Sequence, residues 1–498
     1  MSHLTYVEGA ARLEHDCDYV VVGSGAGGAA AASVLARAGA SVTVVEAGPW
    51  RDPEDYPCTA YGAMRDLFEN WGVQVALGRA AWPIVQARCV GGTTVINSAI
   101  CVRTPGDIFR EWQREWGLPD LSAELWRHED DLERELAAEL VPPPARGRSN
   151  ELAILADERL GLDGHVMTRY VKGCAGTGQC LQGCRKLAKQ STNVNLVPEV
   201  LRRGGAVLSS APVSRILMRG ERAVGVTGRF LHPNTKAPGA KFVVRARKGV
   251  LVAASATHTP VLLMRSGVRH PALGRWFRAH PGTGVFGVYK DPVDMNIGAT
   301  QGWASTTYRE HPGIKLETLA IPPEMVASRL SGGGSALMKK MSEYRHLAMW
   351  VHSVRAETAG RVYNVLGKPV VRYGLDAPDM QRMREGMYQV ARMHFAAGAE
   401  AIIPGIQGLP YKLLPGQEGQ IRDAPLDPRK YIAIMTHLFG GAVMGGDARK
   451  AVCDADGRVR GTQGLLVADA AALPTVLGVN PQHTIMAVAR HVAERLVG

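Results

Sequence analysis

Apolar residues take three unlike patterns within the first fifty positions. Asp18-Tyr-Val-Val-Val-Gly23 is a short β-branched run that stops at glycine, which predicts a buried parallel strand. Ala29 to Ala38 is an Ala/Leu/Arg stretch closed by Gly39, which predicts a helix. Ser41-Val-Thr-Val-Val-Glu46 returns to β-branched residues and predicts a second strand ending on an acid. Gly23-Ser-Gly25-Ala26-Gly27-Gly28 joins the first strand to the helix and carries the G-x-G-x-x-G spacing. Gly23 suits a tight turn, Gly25 lets a pyrophosphate approach the backbone, and Gly28 lets helix and strand pack closely. The helix start offers free N–H groups and a positive dipole to phosphates. Glu46 stands where an acid accepts hydrogen bonds from ribose hydroxyls. In this order the parts predict a dinucleotide site.

Two other patterns imitate known elements. Tyr19 to Ala36 is free of charge and about as long as a membrane span, but its glycines parse better as strand, turn and helix. Gly282-Thr-Gly284-Val-Phe-Gly287 repeats G-x-G-x-x-G. No strand is expected before it, and Val-Tyr-Lys-Asp-Pro after it starts a helix poorly. One nucleotide turn is therefore expected, which favours reduction of the cofactor by the substrate itself. Neither an internal repeat nor a low-complexity tract is visible.

Composition narrows the class. The 498 residues hold 46% hydrophobic and 21% charged residues, which is globular and excludes a disordered or coiled-coil chain. Glycine is in excess at 57 residues without a three-residue period, so tight turns and close backbone approaches are expected rather than collagen. The formal net charge is +12. Basic residues are scattered among acids, as in Asp107 to Asp120, so no nucleic-acid partner is expected. Eight cysteines are too few for a disulfide scaffold. The N-terminus holds Glu8, Glu14 and Asp16 and lacks an apolar leader, so a reducing cytoplasm is the expected compartment.

The remaining motifs resemble, in order, those of the glucose–methanol–choline (GMC) flavoprotein oxidoreductases. Glu46-Ala47-Gly48 closes the nucleotide motif as in FAD enzymes. Ala87-Arg-Cys-Val-Gly91-Gly92-Thr93-Thr94-Val-Ile-Asn97 is similar to the flavin-loop signature. Thr259 to Val268 and Gly274 to Pro281 resemble two further segments. His437-Leu-Phe-Gly-Gly-Ala-Val-Met-Gly445 and Gly464-Leu-Leu-Val-Ala-Asp469-Ala470, continuing to Asn480-Pro481, resemble the C-terminal block. The resemblance implies an α/β fold, with a Rossmann-like FAD-binding domain and a discontinuous α+β substrate-binding domain. We expect the first in 1–110, 200–290 and 430–498, and the second in 111–199 and 291–429. Ser331 to Ser335 reads as a flexible loop and candidate lid hinge.

The same resemblance implies site residues. Gly91, Gly92, Thr93 and Asn97 face the flavin, and the backbone of Val213 meets the adenine. Where relatives attach FAD covalently through this loop, a His precedes the Asn; here Ile96 does, so FAD is expected to be non-covalent. His437 is the implied general base and Asn480 its partner, with Asp469, Ala470, Pro481 and His483 beside the cofactor. The chemistry suits these types. Oxidising an alcohol removes a proton from oxygen and a hydride from carbon. A neutral imidazole accepts the proton, an amide orients the hydroxyl, and the flavin takes the hydride. Asn480 also fits a helix N-cap with Pro481 at N1.

Cys174, Cys180 and Cys184 form C-x₅-C-x₃-C, which matches neither zinc knuckles nor a ferredoxin run. No metal is expected, and the segment reads as a Gly/Cys loop near the flavin. It resembles the long-chain alcohol and sterol branch, which implies bulky apolar alcohols. The electron acceptor is left open among oxygen, a quinone and a redox protein. Two rival readings are an NAD(P)H-reduced flavin monooxygenase and a non-enzymatic basic flavoprotein that binds nucleic acid or membrane.

Overall fold

A computed structural model describes residues 2–497. Two sheets carry the molecule. The first has eight strands. Its parallel part runs Ser2–Leu4, Ala206–Leu208, Val42–Val45, Leu13–Val22, Pro238–Val252 and Leu465–Val467. Arg222–Leu231 and Val213–Arg219 extend it as an antiparallel meander. The helices Ala26–Arg37, Gln482–Glu494, Ser122–Glu135 and Leu196–Arg202 pack together on this part of the fold.

The first strand is longer than its apolar run. Leu13 to Cys17 alternates less and more exposed positions and pairs with Phe242 to Ala246 before the fully buried stretch begins. The first helix starts at Ala26 rather than Ala29. Gly27 and Gly28 lie inside this helix, where neighbouring backbone leaves no room for a side chain. A Cβ on Gly27 would lie 2.1 Å from the Ala468 carbonyl oxygen, and one on Gly28 would lie 2.0 Å from that of Gly23.

The second sheet has eleven strands. Arg275–Val288 is its hub, pairing with Ile434–Phe439, Leu347–Val354, Ala401–Ile403 and Gly360–Val365. The second G-x-G-x-x-G, Gly282 to Gly287, lies inside this strand, not after a stretch without strand structure as expected. A strand cannot form a phosphate turn, so the segment makes no nucleotide site.

The two hydrophobic cores draw the domain limits differently from the sequence. Ala76, Trp82, Ile84, Phe277, Val285 and Met435 belong to the core of the second sheet, although 1–110, 200–290 and 430–498 were expected to be cofactor domain. Trp112, Leu125 and Leu132 pack into the first core, although 111–199 was expected on the substrate side. Each region holds an amphipathic helix or strand whose partner is far away in sequence, so its side is decided by tertiary packing. The methionines of Ala377–Ala396 (Met380, Met383, Met387 and Met393) fill that second core. Ser331 to Gly333 precedes the helix Gly334–Met341, which buries none of its residues.

Candidate active site

The nucleotide turn is built as its glycines require. Gly23 has φ +106°, and a Cβ there would strike the Ala253 carbonyl oxygen at 2.2 Å. A Cβ on Gly25 would meet only the Gly92 Cα, at 3.9 Å. Gly25 is the N-cap of Ala26–Arg37, and neither a side-chain cap nor an acid occupies the first turn. That uncapped, positively polarised helix end above a bare glycine suits a pyrophosphate, so the residues present fit the dinucleotide half of FAD. Glu46 is buried. Its Oε2 accepts from the Ser24 backbone N–H at 2.9 Å and the Ser24 hydroxyl at 2.7 Å, and its Oε1 accepts from Gly48 N–H at 2.8 Å. Burial raises its pKa against these bonds. Its remaining lone pairs are left for ribose hydroxyls. Ala211 N–H donates to the Glu46 carbonyl, which brings the start of Val213–Arg219 beside the acid. Ala47 accepts from Arg88 Nε at 3.4 Å.

The Gly91–Asn97 loop is clamped onto that turn. Gly91 N–H donates to Ser24 Oγ at 3.0 Å, and Thr192 Oγ1 donates to Ser24 O at 2.9 Å. Gly91 and Gly92 both have positive φ. Thr93 Oγ1 accepts from Ala87 N–H at 3.2 Å. Asn97 Nδ2 donates to Gln482 at 2.5 Å, which ties the loop to the C-terminal helix. Asp469 is buried, accepts from Ser255 N–H, Thr259 Oγ1 and Ala471 N–H, and is pushed up to about 6 by burial. The Ala470 carbonyl accepts from Gly440 N–H, joining this segment to the end of the His437 strand.

Lys189 extends the clamp to the cysteine loop. It is buried and donates to the carbonyls of Val95 at 2.5 Å, Asn97 at 2.8 Å and Cys180 at 2.9 Å. Cys180 accepts from Arg169 Nη2 at 2.9 Å. Burial pushes its thiol up, but Arg169 and Lys189 outweigh that and pull it to about 7. All eight cysteines are free. The Gly/Cys loop thus sits against the flavin-loop backbone.

The two proposed catalytic residues face one buried ion pair. Strand register sets His437 opposite His280, and their Nδ1 atoms are 3.3 Å apart. Gly478 N–H donates to His280 Nε2 at 2.9 Å, so a neutral His280 carries its proton on Nδ1, aimed at His437. His437 in turn carries its own proton on Nε2 in this resting arrangement. Moving that proton to Nδ1 would set two N–H groups against each other at 3.3 Å, so a bare Nε2 requires the His437 ring to turn out of this contact. Burial holds the His437 pKa down to about 4, with Glu317 raising it and Lys315 lowering it. Burial, His437 and nearby cations keep His280 neutral.

Lys315 and Glu317 were not singled out in the sequence. Both are buried, with Nζ and Oε1 2.7 Å apart. Lys315 also donates to Asn480 Oδ1, and the Asn480 amide meets Glu317. Burial alone would raise the Glu317 carboxyl, but Lys315 and His437 hold it below its ordinary value. With Oδ1 engaged, Asn480 offers N–H from Nδ2. It is not a helix cap: Pro481 takes the N-cap of Gln482–Glu494, and the Asn480 side chain is spent on Lys315. His483 is buried. Its Nδ1 meets the Tyr170 hydroxyl, and its Nε2 lies 3.3 Å from Glu133. Alternation in a strand hides such partners: Ile-Lys-Leu-Glu-Thr reads as an ordinary half-exposed strand, yet all five residues of Ile314–Thr318 are buried.

Residues 18–282 and 357–489 match the family GMC oxidoreductase. The chain belongs to the GMC oxidoreductase family. Members of this family bind FAD, and this GMC protein is an oxidoreductase acting on CH–OH donors. It is 37% identical over 487 residues to an uncharacterised GMC-type oxidoreductase of Mycobacterium tuberculosis, covering 96% of this chain and 76% of that one. A long-chain-alcohol oxidase of Arabidopsis thaliana is 26% identical, covering 97% and 66%. A formate oxidase variant from Aspergillus oryzae superposes with a TM-score of 0.75 at 17% identity, covering 98% and 99%. That likeness shows the GMC fold. No helix of the described residues is long and apolar enough to cross a membrane.

Proposed function

We propose that this GMC oxidoreductase oxidises a bulky, apolar alcohol to an aldehyde or ketone, with His437 as base and Asn480 orienting the hydroxyl. The arrangement that carries this reading is one neutral imidazole within the field of the buried Lys315–Glu317 pair and one amide oriented by that pair. Asn480 stands two residues before Gln482, which bonds the flavin loop at Asn97, and the His437 strand is joined through Gly440 to Ala470. When bound, FAD supplies the hydride acceptor. Asn480 Nδ2 donates to the substrate oxygen, and neutral His437, its ring turned out of the His280 contact with its proton on Nδ1, accepts the hydroxyl proton on bare Nε2. Lys315 keeps the amide from turning. The apolar preference rests on the long-chain-alcohol oxidase relatives and on the Cys174–Ser191 segment that resembles theirs. Non-covalent FAD rests on buried Ile96, whose side chain offers no nucleophile.

The test is anaerobic. FAD-loaded protein should bleach with one or more long-chain or sterol alcohols and stay yellow with NADPH. Acid precipitation should then release FAD into the supernatant. Rapid bleaching by NADPH with none by any alcohol would sink the reading.

The acid limb of the bleaching rate gives a second check. Only neutral His437 accepts a proton, and its pKa is lowered from 6.5 to about 4. The rate is therefore expected to hold as pH falls through 6.5 and to decline only near 4. A limb at 6.5 would contradict the burial of this imidazole.

A further inference from the structure

Three neighbouring strands at one end of the second sheet present an unusual outer face. Gly360–Val365 pairs with Lys368–Arg372, which pairs with Gln74–Leu77. Their inner row, Val362, Val371 and Ala76, is buried. Strand alternation makes the opposite row the solvent row, where polar residues belong. Instead Val75, Leu77, Tyr363 and Val365 are exposed there, with Arg361 and Arg372 in register beside Leu77. The hairpin tip is Leu366, 99% exposed. Ahead of Gln74–Leu77, exposed Trp71 packs on exposed Tyr61 with ring centroids 5.6 Å apart, and Val73 follows at 66% exposure.

Next to this face lies an open cleft of about 590 Å³ lined by Arg79, Arg275, Arg361 and Arg372 and by no acid. Among the described residues none of the four forms an ion pair with a carboxylate. The acid that feels Arg79 is Asp427, and it is already paired with Arg429. Lys368 adds an exposed cation on the hairpin.

We propose that this face docks on an anionic lipid surface. A projecting leucine, a Trp–Tyr pair at the rim and unpaired cations behind them match what interfacial docking needs. The apolar tips enter the headgroup boundary, the aromatic rings sit at its level, and the cations meet lipid phosphates. Guanidinium forks suit those phosphates. An acidic protein would answer the charges but gives no reason for an isolated, outstretched Leu366. The proposal is independent of the reaction, because its readout is binding and not turnover. It also gives the +12 net charge a local use.

Co-sedimentation of the FAD-loaded protein with vesicles tests it. Vesicles of phosphatidylcholine alone are compared with vesicles containing about one-third phosphatidylglycerol, since anionic lipid supplies the attraction. The protein should bind the anionic vesicles and be released by salt. Leu366→Asp and the pair Arg361→Glu/Arg372→Glu should each weaken binding by about tenfold or more, with the flavin spectrum unchanged. Absence of vesicle binding, equal binding to both vesicle types, or binding that survives both sets of substitutions overturns the proposal.

Discussion

His437→Ala is expected to slow anaerobic reduction of bound FAD by the best alcohol by about 10²–10⁴-fold, the range that a positioned acid–base group contributes. The imidazole stands half-buried on Ile434–Phe439. Its Nδ1 is taken by His280 at rest, and its Nε2 becomes a bare acceptor once the ring leaves that contact. His280 does not replace it, since its own Nε2 is engaged by Gly478. Alanine also removes the group responsible for the acid limb near pH 4, so that limb should vanish together with the rate. A purely structural role would leave the limb in place. Stopped-flow bleaching from pH 4 upward separates the two, and a loss below about tenfold would end the assignment of His437 as the reacting group.

The largest expected effect on stability comes from Lys315→Met. It leaves Glu317 buried without its cation, and removing one partner of a buried pair costs about 3–5 kcal/mol. Gln301 Nε2, 3.4 Å from Glu317 Oε2, is too weak a donor to compensate. The same change frees Asn480 Oδ1, so the amide can turn its oxygen toward the substrate and the bleaching rate should fall as well. Lys315→Met/Glu317→Leu provides the control. It removes both charges, so most of the stability should return, while the unheld amide keeps the rate low. Denaturant unfolding of the FAD-loaded protein gives the first quantity and anaerobic bleaching the second. Recovery of both in the double variant would show that the pair acts on stability alone and does not orient Asn480.

What the sequence determined by itself was local. The turn at Gly23 to Gly28 was legible because each glycine answers a steric demand set within a few residues, or by a backbone that must pass close to it. The flavin loop at Gly91–Asn97 and the His437 and Asn480 segments were legible as family motifs, whose order survives in one chain. FAD and the CH–OH oxidoreductase class followed from them.

What only the tertiary structure decided was pairing across long separations. Lys315 meets Asn480 across 165 positions, and His280 meets His437 across 157. Nothing in Ile-Lys-Leu-Glu-Thr distinguishes a buried ion pair from a solvated strand face, because alternation looks the same until the neighbouring layer is in place. The sides taken by 74–84, 106–136 and 275–288 were decided likewise, by which core could cover their apolar stripes. The exposed apolar row around Leu366 is the converse case. Its alternation promises a partner layer, and the fold, having buried Val362, Val371 and Ala76 on the other side, supplies none.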